Sequence, residues 1–236
     1  MKVPNLLLDG VRKLSLDQPI HYQQNIYLFW DELSSKIAEL RQLLRNGPYT
    51  RFFKSAYSKI VVKTYLTDRV LTGEHKTNRE KRWEVHPGSV HFALRRDCLE
   101  IELVLISQLC YFAGFPLELQ MELKERGLLS LTELQYAGLV RPRERISRCP
   151  ITLEPLSFTE FREEVLLPRH GRAAYQVGHL HPLKAMTEDP YMGHTGQNIS
   201  WISASGNRIQ GEYSVTETRE PIIRISQNYQ AAGLIN

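Results

Sequence analysis

Apolar residues recur at spacings of three and four along the first part of the chain. Ile26, Phe29, Trp30, Leu33, Ile37, Leu40 and Leu44 fall on one side of a helical wheel, and Asn46, Gly47 and Pro48 close the pattern. The spacing predicts a helix over 26–45. From Tyr57 to Leu66 the chain turns β-branched and aromatic, which reads as extended structure with a helix as the alternative. Thr72 to Pro87 is polar and reads as a loop. Leu99, Leu103, Ile106, Leu109 and Cys110 form the next apolar stripe and predict a helix over 95–113, ended by Gly114. Pro116 opens a short helix to about Arg126, and Ser130 with Glu133 forms a capping-box signature for a third.

The pattern changes after residue 140. Arg141 to Arg148 holds four arginines, one glutamate and a proline, which reads as a basic linker. Beyond it, Ala173 to Leu180 reads as a short strand, 184–196 as a loop and Ile199 to Ile202 as a second strand. Ser203 or Ser205 can cap a helix carrying Asn207, Arg208 and Gln210. The fold class expected is α+β. A mainly helical region spans 1–140, the linker 141–148, a strand–loop–strand–helix unit 149–220, and a tail 221–236.

Composition agrees with a folded chain: 236 residues, 42% hydrophobic and 24% charged. The most apolar stretch, Cys98 to Phe115, is interrupted by Glu100, Glu102 and Gln108, so no membrane span is expected. The start, Met1-Lys2-Val3-Pro4, does not read as a signal peptide. Cys98, Cys110 and Cys149 make neither a disulfide framework nor a Cys-x-x-Cys pair. A reducing, cytoplasmic setting without structural zinc is therefore expected.

Charge is unevenly spread. The chain carries a net +4, yet residues 51–96 alone hold 11 basic and 4 acidic side chains. Such a block suits a polyanionic partner as well as it suits a solvated surface. Lys76, Arg79, Lys81 and Arg82 sit in its polar loop beside Trp83, and Arg141, Arg143 and Arg145 lie in the linker. All are candidates for phosphate contacts.

The chemistry-bearing residues fall in the last third. His179-Leu180-His181-Pro182 ends the first strand, Asn198 precedes the second, and Asn207 lies nine residues further on. This order resembles the HNH, or ββα-metal, nuclease finger, whose motif runs Asp-His-x-x-Pro, a variable loop, a middle Asn, then a terminal His or Asn. The likeness covers roughly 149–217. It implies that His179 takes the proton from an attacking water, a task suited to an imidazole. It implies that Asn207 offers its amide oxygen to Mg²⁺ or Mn²⁺ at a metal site shared with His179. It also implies that Asn198 braces the loop.

Two departures stand out. Gly178 occupies the position where the family often has a metal-binding Asp, and the family's zinc cysteine pairs are missing. His181, two residues on, is the rival base. His194 reads as a turn residue, Arg208 as a phosphate contact or a solvated helix residue, and Glu212 as a weak candidate near the metal. The resemblance extends to bacterial type II restriction endonucleases. It implies sequence-specific cleavage of double-stranded DNA by a homodimer, with the 26–45 helix and the apolar face of 95–113 as dimer surfaces. The alternatives are a nonspecific nuclease of the same kind and a DNA-binding module with weak catalysis.

Overall fold

A computed structural model describes residues 19–61, 63, 65–67, 79–129, 145–167, 173–183 and 192–235. Among them are seven α-helices and two small antiparallel sheets, an α+β architecture. Helix α1 runs Pro19–Asn46 and α2 Thr50–Val61. Strands β1 (Tyr65–Thr67) and β2 (Arg79–Lys81) pair with each other and lead into a 3-10 turn, Arg82–Glu84. Helices α3 (Arg95–Leu109) and α4 (Leu117–Glu125) follow, then α5 (Phe158–Leu166). The chain closes with β3 (Tyr175–His179), β4 (Ile199–Ser203), α6 (Ala204–Gln210) and α7 (Val215–Ala231).

The expected helices at 26–45, 95–113 and 116–126 are present as α1, α3 and α4. The stretch 57–66 divides: its first half completes α2 and its end supplies β1. The Ser130 helix lies outside the described residues. Helices α5 and α7 are additional to the expected ones, although both begin with Ser-x-x-Glu. The Ser157 hydroxyl accepts from the Glu160 amide, and Ser214 with Glu217 forms a complete capping box. Helix α7 thus occupies most of what was expected to be a tail and carries Pro221 inside it.

Helix α3 is the axis of the core. From Ile101 to Leu109 every side chain is buried, polar ones included. A helix buried on all sides must satisfy its polar groups internally. Glu102 does so through a bidentate pair with Arg41 on α1, at 2.6 Å for both contacts, and by accepting from the Tyr57 hydroxyl of α2 at 2.7 Å. That one carboxylate ties three helices together. Edge-to-face aromatic contacts fill the space beyond. Phe52 packs on Phe158, and Phe161 packs on both Tyr175 and Trp201.

The apolar face of α3 and Leu33, Ile37, Leu40 and Leu44 of α1 are all consumed within this core. They are not free to form the dimer surfaces expected of them. Described residues on both sides of the expected linker share this one core. Ser147 is fully buried and bonds to Tyr111 and Gln108 of the α3 end. Among the described residues no helix is long and apolar enough to cross a membrane.

The β3–β4 hairpin docks on α3 through Gln108. Its amide donates to the Ser200 hydroxyl at 2.9 Å, and its oxygen accepts from the Trp201 backbone N–H at 2.9 Å. The Trp201 indole donates to the Leu105 carbonyl at 2.8 Å. Replacing Gln108 by Leu leaves the buried Trp201 N–H without its partner, while the Ser200 hydroxyl keeps its bond to the Trp201 carbonyl at 2.9 Å. We expect a loss of roughly 2–5 kcal/mol in unfolding free energy, measured by urea titration. A loss below roughly 1 kcal/mol would show that this bond is not what holds the hairpin.

Candidate functional site

The β3–β4–α6 unit is built on its hairpin register. Val177 faces Trp201 and His179 faces Ile199, antiparallel. Tyr175 and Val177 point into the core, while Gln176 is exposed. His179 alternates with Gly178 and so shares the inner side. The Ser203 hydroxyl accepts from the Gly206 amide at 3.0 Å and starts α6, as one of the two expected caps. Gly206 is required there. A Cβ would lie 2.7 Å from the Cys149 sulfur, so Cys149 serves as packing beneath α6.

Asn198 clamps the segment after β3. Fully buried, it accepts from the His181 N–H at 2.8 Å and donates to the His181 carbonyl at 3.2 Å and the Gly193 carbonyl at 2.9 Å. Gln210, at the end of α6, donates to the His179 carbonyl at 2.9 Å. The backbone on both sides of Leu180 is therefore fixed by side-chain amides. The His181 ring is part-buried, and its backbone is the part held by Asn198.

His179 is the first member of a bonded chain. Its Nε2 lies 2.8 Å from Nδ1 of His194, and Nε2 of His194 bonds to the Lys63 carbonyl. A carbonyl only accepts, so His194 carries its proton on Nε2. With that ring neutral, its Nδ1 is an acceptor, and His179 donates to it from Nε2. The remaining lone pair of His179 sits on Nδ1. Both rings are held neutral. Burial, followed by the charges of Lys63 and Arg82, pushes His179 down to about 3. Burial and the same two cations, with His179 itself, hold the 5%-exposed His194 well below the usual imidazole range.

Those cations come from outside the hairpin. Lys63 follows α2, and burial with the Arg82 charge pushes its ammonium down to about 8. Arg82 stands in the 3-10 turn, 6% exposed, and burial lowers it to about 10. Its Nη1 donates to the His91 carbonyl at 3.0 Å, whereas its buried Nε has no hydrogen-bond partner.

Asn207 lies on the other face of β3. Its amide nitrogen donates to the Gln176 side chain at 2.8 Å, and its Oδ1 is 3.5 Å from where a Gly178 Cβ would stand. The structure does not bring His179 and Asn207 into contact: they flank Gly178 from opposite faces. Among the described residues no group of three or more His, Cys, Asp or Glu side chains could hold a metal ion. The Asn207 oxygen accepts no bond from the described residues. One neutral oxygen fits a hard cation that keeps most of its waters and takes further oxygens from a phosphate.

The expected phosphate contacts have several fates. Lys76, Arg141 and Arg143 lie outside the described residues. Arg79 belongs to β2, with its side chain outside them. Lys81 pairs with Glu84 at 2.8 Å and lies over the Trp83 ring. Arg82 is buried, because its turn packs against α3. Arg145 is exposed in a left-handed backbone conformation, φ 49°. Arg208 is exposed, and its Nε donates to the Ala204 carbonyl at 3.0 Å. Glu212 is exposed just after α6.

Four residues of this site carried little sequence signal. His194 read as a turn residue, and Gln210 was noted only as part of α6. Lys63 and Arg82 were two among 11 basic residues in their window. Their convergence depends on contacts between segments more than 80 positions apart.

No family model matches the chain, and no curated protein does. A solved structure described as a type II restriction endonuclease is similar at TM-score 0.38 and 16% identity, over 60% of this chain. The chain spans about half, 55%, of that protein.

The neutral pair makes stability depend on pH in a defined direction. Both folded-state pKa values lie below the unfolded value of about 6.5. The stability tied to neutrality is thus complete above that value and is lost as pH falls toward 3. The slope approaches about 1.4 kcal/mol per pH unit for each ring. Urea midpoints should fall between pH 7.5 and 5. His194→Gln, which cannot titrate, should show a smaller fall. Equal falls in both proteins would contradict this account.

Proposed function

We propose that the β3–β4–α6 unit is a ββα-metal nuclease finger and that the chain is a metal-dependent endonuclease acting on double-stranded DNA. The observation that carries this reading is the bonded chain from the Lys63 carbonyl through His194 to His179. It presents a neutral imidazole, with Nδ1 as its remaining lone pair, at the end of β3. That is what a general base needs before reaction: the proton-free form, in one tautomer and one orientation. Asn198 and Gln210 fix the backbone that carries the ring.

In this mechanism His179 Nδ1 takes a proton from the attacking water. The imidazolium stays oriented through its Nε2–H bond to His194. A conjugate acid as weak as that of the isolated site gives little pull on a proton. A phosphate anion near Lys63 and Arg82 offsets the charges that depress it and so strengthens the base on binding. Asn207 is the residue that would hold Mg²⁺ or Mn²⁺. Such a cation, when bound, supplies positive charge to the phosphate oxygens. Arg145 and Arg208, both exposed, are available for backbone phosphates.

Site-specific cutting as a type II restriction enzyme, by a symmetric pair of chains, is the finer form of the proposal. A large duplex DNA incubated with Mg²⁺ and run on a gel tests it. Discrete bands are expected, lost with EDTA and reduced at least about 100-fold in His179→Ala. Asn207→Ala should need more Mg²⁺ for the same cutting. A smear would retain the chemistry and remove the site specificity. No cutting with either Mg²⁺ or Mn²⁺ would overturn the nuclease reading, and undiminished cutting by His179→Ala would move the base to His181.

A further inference from the structure

Lys63 and Arg82 stand in different segments, and both charges act on His179 and His194. Each lowers the other's neighbours: the Arg82 charge acts on Lys63, His91, His179 and His194. Among the described residues, no carboxylate forms an ion pair with either Lys63 or Arg82 or adds to the field on either histidine. Among the described residues, these two cations thus lie without a paired carboxylate, Arg82 buried and Lys63 half-buried. Arg82 shows the consequence most directly. At 6% exposure, its guanidinium keeps a buried Nε–H with no acceptor. A buried, unpaired donor on a charged group is costly, and such groups persist when something else completes them.

We propose that Lys63 and Arg82 form a binding site for a phosphate oxyanion, with Arg82 Nε and the Lys63 ammonium as its donors. The guanidinium fork matches the spacing of phosphate oxygens, and two cations hold a phosphate oxyanion more strongly than either does alone. The two histidines wall the site with neutral rings, so they do not supply the missing charge. The anion is either a nucleic-acid backbone phosphate or a free phosphate. The inference rests on these cations and not on the nuclease reading, so either can fail alone.

Thermal unfolding with added sodium phosphate, against sodium chloride at equal ionic strength and against acetate, tests the site. Phosphate should raise the midpoint of the intact chain more than chloride or acetate does. The affinity drawn from the shift should fall at least tenfold in both Lys63→Met and Arg82→Met. Arg82→Met should also be no less stable than the intact chain without phosphate, because it removes an unpaired buried charge. Should that variant fail to fold, Lys63→Met, altered at a half-buried position, carries the test. A short duplex DNA that displaces phosphate identifies the backbone as the source, and failure to displace it identifies a free phosphate; both support the site. Equal effects of phosphate and chloride, equal effects of phosphate and acetate, or an undiminished shift in the variants would overturn it. Phosphate binding by a chain that never cuts DNA would leave the site standing and the nuclease reading refuted.

Discussion

A two-stranded hairpin has two open edges, and neither can be buried without partners for its backbone groups. Gln108 solves this for β4. Projecting from a helix that is otherwise sealed in apolar contacts, its amide takes the Trp201 N–H and gives a bond to Ser200, as a neighbouring strand would. Trp201 can then be fully buried, with its own indole nitrogen bonded to α3. The position of β4 sets that of β3 through their register, and β3 carries His179. The candidate chemistry is thus referred, bond by bond, to the central helix of the N-terminal region.

The same dependence appears in the histidine chain. His179 is oriented by His194, and His194 by a backbone carbonyl at Lys63, 131 positions earlier. The β3–β4–α6 unit thus leans on residues far earlier in the chain: the Lys63 carbonyl fixes the His194 ring, and the Lys63 and Arg82 charges act on both imidazoles. Burial and like charge keep the imidazole neutral, at the cost of basicity, and an anion seated on those cations would restore it. Binding and proton transfer would then be coupled through one local field.

Much of this was legible in the sequence because it is local. Period and caps locate α1, α3 and α4, and Ser203 starts α6. The His179–Asn198–Asn207 spacing marks the hairpin-and-helix unit before any contact is known. What escaped is of two kinds. Helices α5 and α7 had a visible signal in their Ser-x-x-Glu starts, but their short apolar pattern and Pro221 argued against it. The partners of His179 had no local signal. His194 precedes a small residue, Thr195-Gly196, and looks like a turn; Arg82 sits in a polar, basic stretch and looks solvated. His194 is bonded to a segment 131 positions away, and Arg82 is buried by the packing of its turn on α3. The facing of side chains was also beyond sequence reach: the resemblance implies a metal site shared by His179 and Asn207, and strand alternation sets the two on opposite faces of β3.

The central claim is that His179 is a neutral imidazole protonated on Nε2, with Nδ1 left to accept a proton. Two-bond proton–nitrogen correlation spectra of the ¹⁵N-histidine-labelled chain at neutral pH read this directly, with His179→Gln and His194→Gln for assignment. The account predicts Nε2–H patterns for both rings and a changed His179 pattern when His194 is replaced. A protonated His179, or one carrying its proton on Nδ1, would contradict it.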